Sequence, residues 1–187
     1  MRLYYNQRHF LVLMVQDSPL TQAALLIIWH SRTGAARQMA EAASASANEV
    51  LRELNADNRV SVYLQTAEET SQAHVLAADA YLFCAPENLG SLSGTMKEFF
   101  DRTYYGVLDK INGRPYGVLI AAGSDGQGAA RQVERICTGW RLRLAAPIFI
   151  ANTDAQTPEE IMAEKTPAPE HIEHARTLGG TLAALLA

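Results

Sequence analysis

Cysteine is nearly missing: Cys84 and Cys137 are the only two in 187 residues, with no CxxC pair and no histidine nearby at metal-ligand spacing. That excludes a disulfide-rich scaffold and a zinc ribbon. Both thiols fall in apolar-patterned segments and read as small buried hydrophobes in a reducing compartment, with a disulfide between them left open. The five histidines are scattered, and no Ser-His-Asp or Cys-His set presents itself. Charge of one sign is also lacking. Twenty acids against 16 bases give a net charge of -4, which excludes the basic face a nucleic-acid binder needs. Long hydrophobic runs are absent as well. Phe10–Val15, preceded by Arg2 and Arg8, falls far short of the ~18 residues of a membrane helix, and no small-residue cleavage site marks it as a secretory leader. We therefore expect a cytoplasmic protein whose partner is neither nucleic acid nor a membrane. Residues 1–20 are expected to be an N-terminal extension to a domain spanning 21–187.

What the chain does have is 48% apolar residues and a regular alternation of strand and helix patterns, in a length that suits one core. Strands are expected over 24–29, 60–64, 80–84, 116–121 and 145–150. The first, Ala24-Leu25-Leu26-Ile27-Ile28-Trp29, is apolar throughout, as a strand covered on both faces must be. Helical spacing appears in Met39, Ala43, Ala47, Val50 and Leu54, and further helices are expected after Thr70, Gly94, Ala129 and Pro169. Strands separated by helices imply a parallel sheet with helices on both faces. Pro158, Pro167 and Pro169 mark a long final connection, roughly 152–168. In such sheets ligands bind beyond the carboxyl ends of the strands, which directs attention to the loops after the first, third and fourth strands.

The first of these loops is Ser31-Arg32-Thr33-Gly34-Ala35-Ala36, where a strand runs into a helix through two hydroxyls and a glycine. Free N–H groups and the dipole at a helix N-terminus favour an anion, and a glycine permits close approach. Simple helix capping by Ser31 or Thr33 is the competing reading. The second loop is Pro86-Glu87-Asn88-Leu89-Gly90, continuing to Ser93-Gly94 and then Lys97-Glu98-Phe99-Phe100-Asp101. The third is Gly123-Ser124-Asp125-Gly126-Gln127-Gly128, suited either to close approach by a flat ring or to a tight turn.

Ser31-Arg32-Thr33-Gly34 resembles the flavodoxin phosphate loop (a hydroxyl residue, any residue, Thr, Gly, any residue, Thr or Ser), with Ala36 standing where a hydroxyl is usual. The second loop and its helix resemble those of the flavodoxin-like NAD(P)H-dependent FMN and quinone reductases, with one extra residue between Lys97 and Phe100-Asp101. The resemblance covers roughly residues 25–150. It implies a three-layer flavodoxin-like fold with a five-stranded parallel sheet in the order 2-1-3-4-5. It implies FMN, with its phosphate on Ser31 to Ala36 and its ring against Pro86, Glu87, Asn88, Leu89, Gly90, Gly123 and Ser124. Glu87 is equally readable as a solvated loop charge, and Lys97 with Asp101 as an exposed helix pair.

The function so implied is an oxidoreductase that moves a hydride from NADH or NADPH through FMN to a quinone, flavin or other small-molecule acceptor, with no catalytic side chain required. The alternative is a flavodoxin-type one-electron transfer protein. Its strongly acidic docking face is lacking here, and Leu89 and Leu92 stand where flavodoxins commonly stack aromatic residues. A flavin-free domain on the same fold is a third reading. Phe99, Phe100, Tyr104 and Tyr105 exceed what one helical stripe readily buries, so a homodimer or higher homo-oligomer is expected.

Overall fold

The computed structural model describes residues 22–187, so the extension expected over 1–20 lies outside the described residues. The elements are β1 (Ala23–Trp29), α1 (Ala35–Glu53), β2 (Val60–Thr66), α2 (Gln72–Ala77), β3 (Ala80–Asn88), β4 (Ser91–Leu92) and α3 (Gly94–Val107). They continue with β5 (Pro115–Ala122), α4 (Gln127–Gly139), β6 (Arg143–Leu144), β7 (Phe149–Asn152), α5 (Pro158–Met162) and α6 (Pro169–Ala184).

The sheet runs β2-β1-β3-β5-β6, with β7 also paired to β5, and all of these pairings are parallel. This is the expected order, with the two-residue β4 added antiparallel to β3. The central strands are apolar on both faces because each face has its own core. Leu25 and Ile27 of β1 enter one, and Leu26 and Ile28 the other. Leu82 and Cys84 of β3 share the first core with the Ala-rich inner face of α1 and with Ala175, Leu178 and Leu182 of α6. Gly179 lies directly on the Ala43 backbone, leaving no room for a side chain between these two helices.

The second core holds Tyr81 and Phe83 of β3, Phe99 and Phe100 of α3, and Trp140 just after α4. Its rings contact at centroid distances of 5.0 Å for Phe83–Phe100 and 5.3 Å for Phe100–Trp140. Tyr104 stacks on Trp140, and only Tyr105, at 85% exposure, points into solvent. Phe99 and Phe100 are therefore not free for a subunit contact, because this face of the sheet is deep enough to take both. Cys84 and Cys137 are free, buried and divided between the two cores, so the sheet separates them and the disulfide left open by the sequence does not form.

Two expected elements differ. The strand expected over 145–150 is two shorter strands, β6 and β7. Pro147 stands between them and cannot donate to the ladder. The second loop is not irregular, because β3 runs on to Asn88 and turns through Leu89-Gly90 into β4.

Candidate functional site

The three loops meet at the carboxyl ends of β1, β3 and β5. At the first, Gly34 caps α1 with φ +97°, a conformation that suits glycine and few other residues. Ser31 Oγ accepts from the Gly34 N–H at 3.1 Å, so the serine shapes the turn rather than capping the helix. Neither Ser31 nor Thr33 makes a side-chain cap. Among the described residues nothing accepts from the amides of Ala35, Ala36 or Arg37. Ala35 and Ala36 are buried and line the cleft. Their N–H groups stand at the positive end of a 19-residue helix, an arrangement that favours an anion. Arg32 is exposed beside it.

At the second loop, Asn88 pairs with Ser91 across a two-residue turn in which Leu89 (φ +53°) and Gly90 (φ +72°) are both left-handed, as a tight hairpin requires. Leu89 is fully exposed. Glu87 is not a solvated charge. Its Oε2 accepts from the Gly126 N–H at 2.7 Å, binding the second loop to the third. Its Oε1 is buried without a partner among the described residues. Gln132 of α4 strengthens the same junction, its Oε1 accepting from the Leu92 N–H and the Ser91 hydroxyl, both at 2.9 Å.

Ser31, Arg32, Thr33, Ala35, Ala36, Pro86, Glu87, Asn88 and Gly123 line one cleft together. Gly34 faces a hollow on the other side of its loop. Leu89 and Gly90 stand at the hairpin tip, and Ser124 is exposed, its carbonyl taken by Asn152 Nδ2 at 2.7 Å. Lys97 and Asp101 form the expected exposed pair at 2.6 Å. Arg143 sits opposite Pro115 at the amino end of β5, away from the cleft, and Arg141 pairs with Asp109.

Sequence reasoning missed one wall of the cleft, made by Thr153, Ala155, Ile161 and Lys165. The long connection was legible from its prolines, but not where it would lie. The Lys165 N–H donates to the Thr33 carbonyl at 2.6 Å, and Gln38 Nε2 donates to the Lys165 carbonyl at 2.6 Å, so the connection lies on the first loop. It also missed His30, whose Nδ1 lies 3.0 Å from Ser93 Oγ at the start of α3. Burial holds His30 below its ordinary pKa; Glu68 opposes that and Arg32 adds to it.

Sheet order and cleft position define a flavodoxin-like protein. The structure resembles a flavodoxin from the domain Archaea at TM-score 0.68 and 13% identity, covering 87% of this chain and 98% of that one. It also resembles the flavodoxin, WrbA-like protein from Agrobacterium tumefaciens at TM-score 0.64 and 18% identity, covering 88% and 98%. A flavodoxin of Aquifex aeolicus (strain VF5) is 29% identical over 104 residues, 56% of this chain and 52% of that protein. The chain thus spans about half the length of the curated relative it matches. The chain belongs to the NADPH-dependent FMN reductase family, whose model matches residues 33–153. Among the described residues no helix is long and apolar enough to cross a membrane.

Proposed function

We propose that this protein binds one FMN and passes a hydride from NADH or NADPH to a quinone, flavin or other small acceptor. The observation that carries this reading is the pair of buried, unclaimed amides of Ala35 and Ala36 at the head of α1, opening into a cleft walled by all three loops. A flavin monophosphate fits these residues. The Ala35 and Ala36 amides would hold its dianionic end, with the Ser31 and Thr33 hydroxyls as further donors and Arg32 as a cation. The Ala36 amide serves without the hydroxyl usual at that position.

Bound FMN would supply the hydride chemistry, and the protein would supply binding, orientation and exclusion. The small residues Ala121, Ala122, Gly123 and Ala155 give the cleft a low wall suited to a flat ring. Glu87 holds the second and third loops at fixed separation, and its buried Oε1 is an acceptor still lacking a donor. Among the described residues no bulky aromatic lines the cleft, which leaves room for a nicotinamide and then an acceptor. The net charge of -4 lacks the strong acidic field that protein docking would favour. A small-molecule partner in the cytoplasm, and a homodimer or higher homo-oligomer, belong to this proposal.

The test is purification with added FMN, followed by anaerobic mixing. A flavin spectrum at one equivalent per chain, bleached by either nicotinamide nucleotide and restored by a quinone, is the expected result. Absence of flavin at saturating FMN refutes it.

A further inference from the structure

The connection between β7 and α6 crosses the phosphate loop as a strap. It is tied at its start, where the Thr153 N–H donates to the Ala122 carbonyl at 2.9 Å. Its middle is stiffened by α5, which Thr157 and Glu160 cap reciprocally. The Lys165 ammonium closes the other end of α5, donating to the carbonyls of Glu160 and, at 2.8 Å, Ala163. Its tail is held by the Lys165–Thr33 and Gln38–Lys165 bonds.

The strap divides space. Ile161 and Lys165 line the inner cleft, with Ala35, Ala36 and Gly123. Met162 and Glu164 line a hollow on the outer side of the same loop, with Gly34 and Arg37. Arg37 and Glu164 face each other across that hollow at 3.9 Å. A ligand whose phosphate is terminal ends at the strap. A ligand whose phosphate continues into a second nucleotide must carry that half past it.

We propose that the 153–165 strap is the element that restricts the site to a flavin mononucleotide and rejects the dinucleotide. This rests on the function proposed above and names what enforces its choice of ligand. Loosening the strap opens the route from inner cleft to outer hollow, so FAD binds more tightly while FMN changes less.

The experiment titrates the full-length apoprotein with FMN, FAD and riboflavin, following quenching of flavin fluorescence. Wild type is compared with Gln38→Ala, which removes the bond to Lys165, and with a variant whose residues 158–164 are replaced by a Gly-Ser linker. The ratio of FAD to FMN dissociation constants should fall about tenfold or more in the linker variant, equivalent to ~1.4 kcal/mol of discrimination. It should fall in the same direction, severalfold, in Gln38→Ala, while riboflavin affinity stays as in wild type. An unchanged ratio in Gln38→Ala and in any folded linker variant that still binds FMN overturns the proposal. Equal weakening of all three flavins overturns it too, since that reports general damage. Wild type that binds none of the three refutes the function itself, a result distinct from a failed strap.

Discussion

Replacing Gly34 by aspartate probes the phosphate assignment where backbone and charge can be separated. The residue has φ +97°, and an added Cβ would lie 3.4 Å from Gln38 Nε2 and from the Lys165 carbonyl oxygen. These contacts are tight but tolerable, so the backbone cost is about 1–2 kcal/mol for a side chain in the left-handed region. The new side chain would point towards Gln38, Lys165 and Glu164, into the hollow away from the cleft, and would act on the Ala35 and Ala36 site across the loop. Its carboxylate would repel a phosphate dianion held there without reaching the same donors. Across the loop that repulsion should weaken FMN binding by about 1–3 kcal/mol, roughly one to two orders of magnitude. Riboflavin, which has no phosphate and no net charge, should bind within about threefold of wild type, since it offers the carboxylate nothing to repel. Gly34→Ala carries the backbone strain without the charge and should leave the preference for FMN over riboflavin largely intact. Isothermal titration of both ligands against all three proteins reads this directly. Equal losses for FMN and riboflavin in the aspartate variant, or no loss for FMN, would show that the phosphate does not sit on this loop.

Further expectations follow from particular contacts. Glu87→Ala breaks the tie to the Gly126 amide and should cost about 1.5–3 kcal/mol of stability, as loss of a charged hydrogen bond does; an unchanged denaturation midpoint would deny it that role. Leu89→Asn suits the left-handed turn better and should add about 1 kcal/mol of stability, while weakening flavin binding if the exposed leucine is kept for contact. Because burial holds His30 below its ordinary pKa, the unfolded chain takes up that proton first as pH falls. His30 therefore contributes nothing to the pH dependence of stability above about pH 6.5 and lowers stability as pH falls below it. Urea unfolding at pH 7.5 and 5.5 should show a smaller difference in His30→Gln than in wild type, and a larger one would reverse the sign of the argument. Burial raises the pKa of both Cys84 and Cys137, so neither should react with a thiol reagent until the protein unfolds. Light scattering tests the homodimer, now resting on the exposed Tyr105 rather than on the buried phenylalanines; a monomer mass at micromolar concentration would remove it.

The central strands were legible because a strand buried on both faces must be apolar throughout, and Leu25 to Ile28 could be nothing else in an alternating chain. The first loop was legible as the junction of strand and helix from its hydroxyls and glycine, but not whether Ser31 or Thr33 caps the helix; the structure shows that neither does. Four features were not legible. The break at Pro147 reflects a missing donor whose effect depends on which strand lies alongside. The burial of Phe99 and Phe100 depends on the depth of a core built by Phe83 and Trp140, residues 16 or more positions away in sequence. The strap depends on hydrogen bonds between residues as far apart as Gln38 and Lys165, which no local pattern encodes. Glu87 belongs with these, since its partner Gly126 lies 39 residues on.

The claim that joins fold, site and family is direct reduction by a nicotinamide nucleotide, and anaerobic stopped-flow spectroscopy of the FMN-loaded protein tests it most directly. NADPH or NADH should bleach the flavin band with no second protein present, and a quinone should then restore it with two-electron stoichiometry. If neither nucleotide bleaches the band at millimolar concentration, while a separate reductase protein does, the chain serves as a one-electron carrier and the proposed function is wrong.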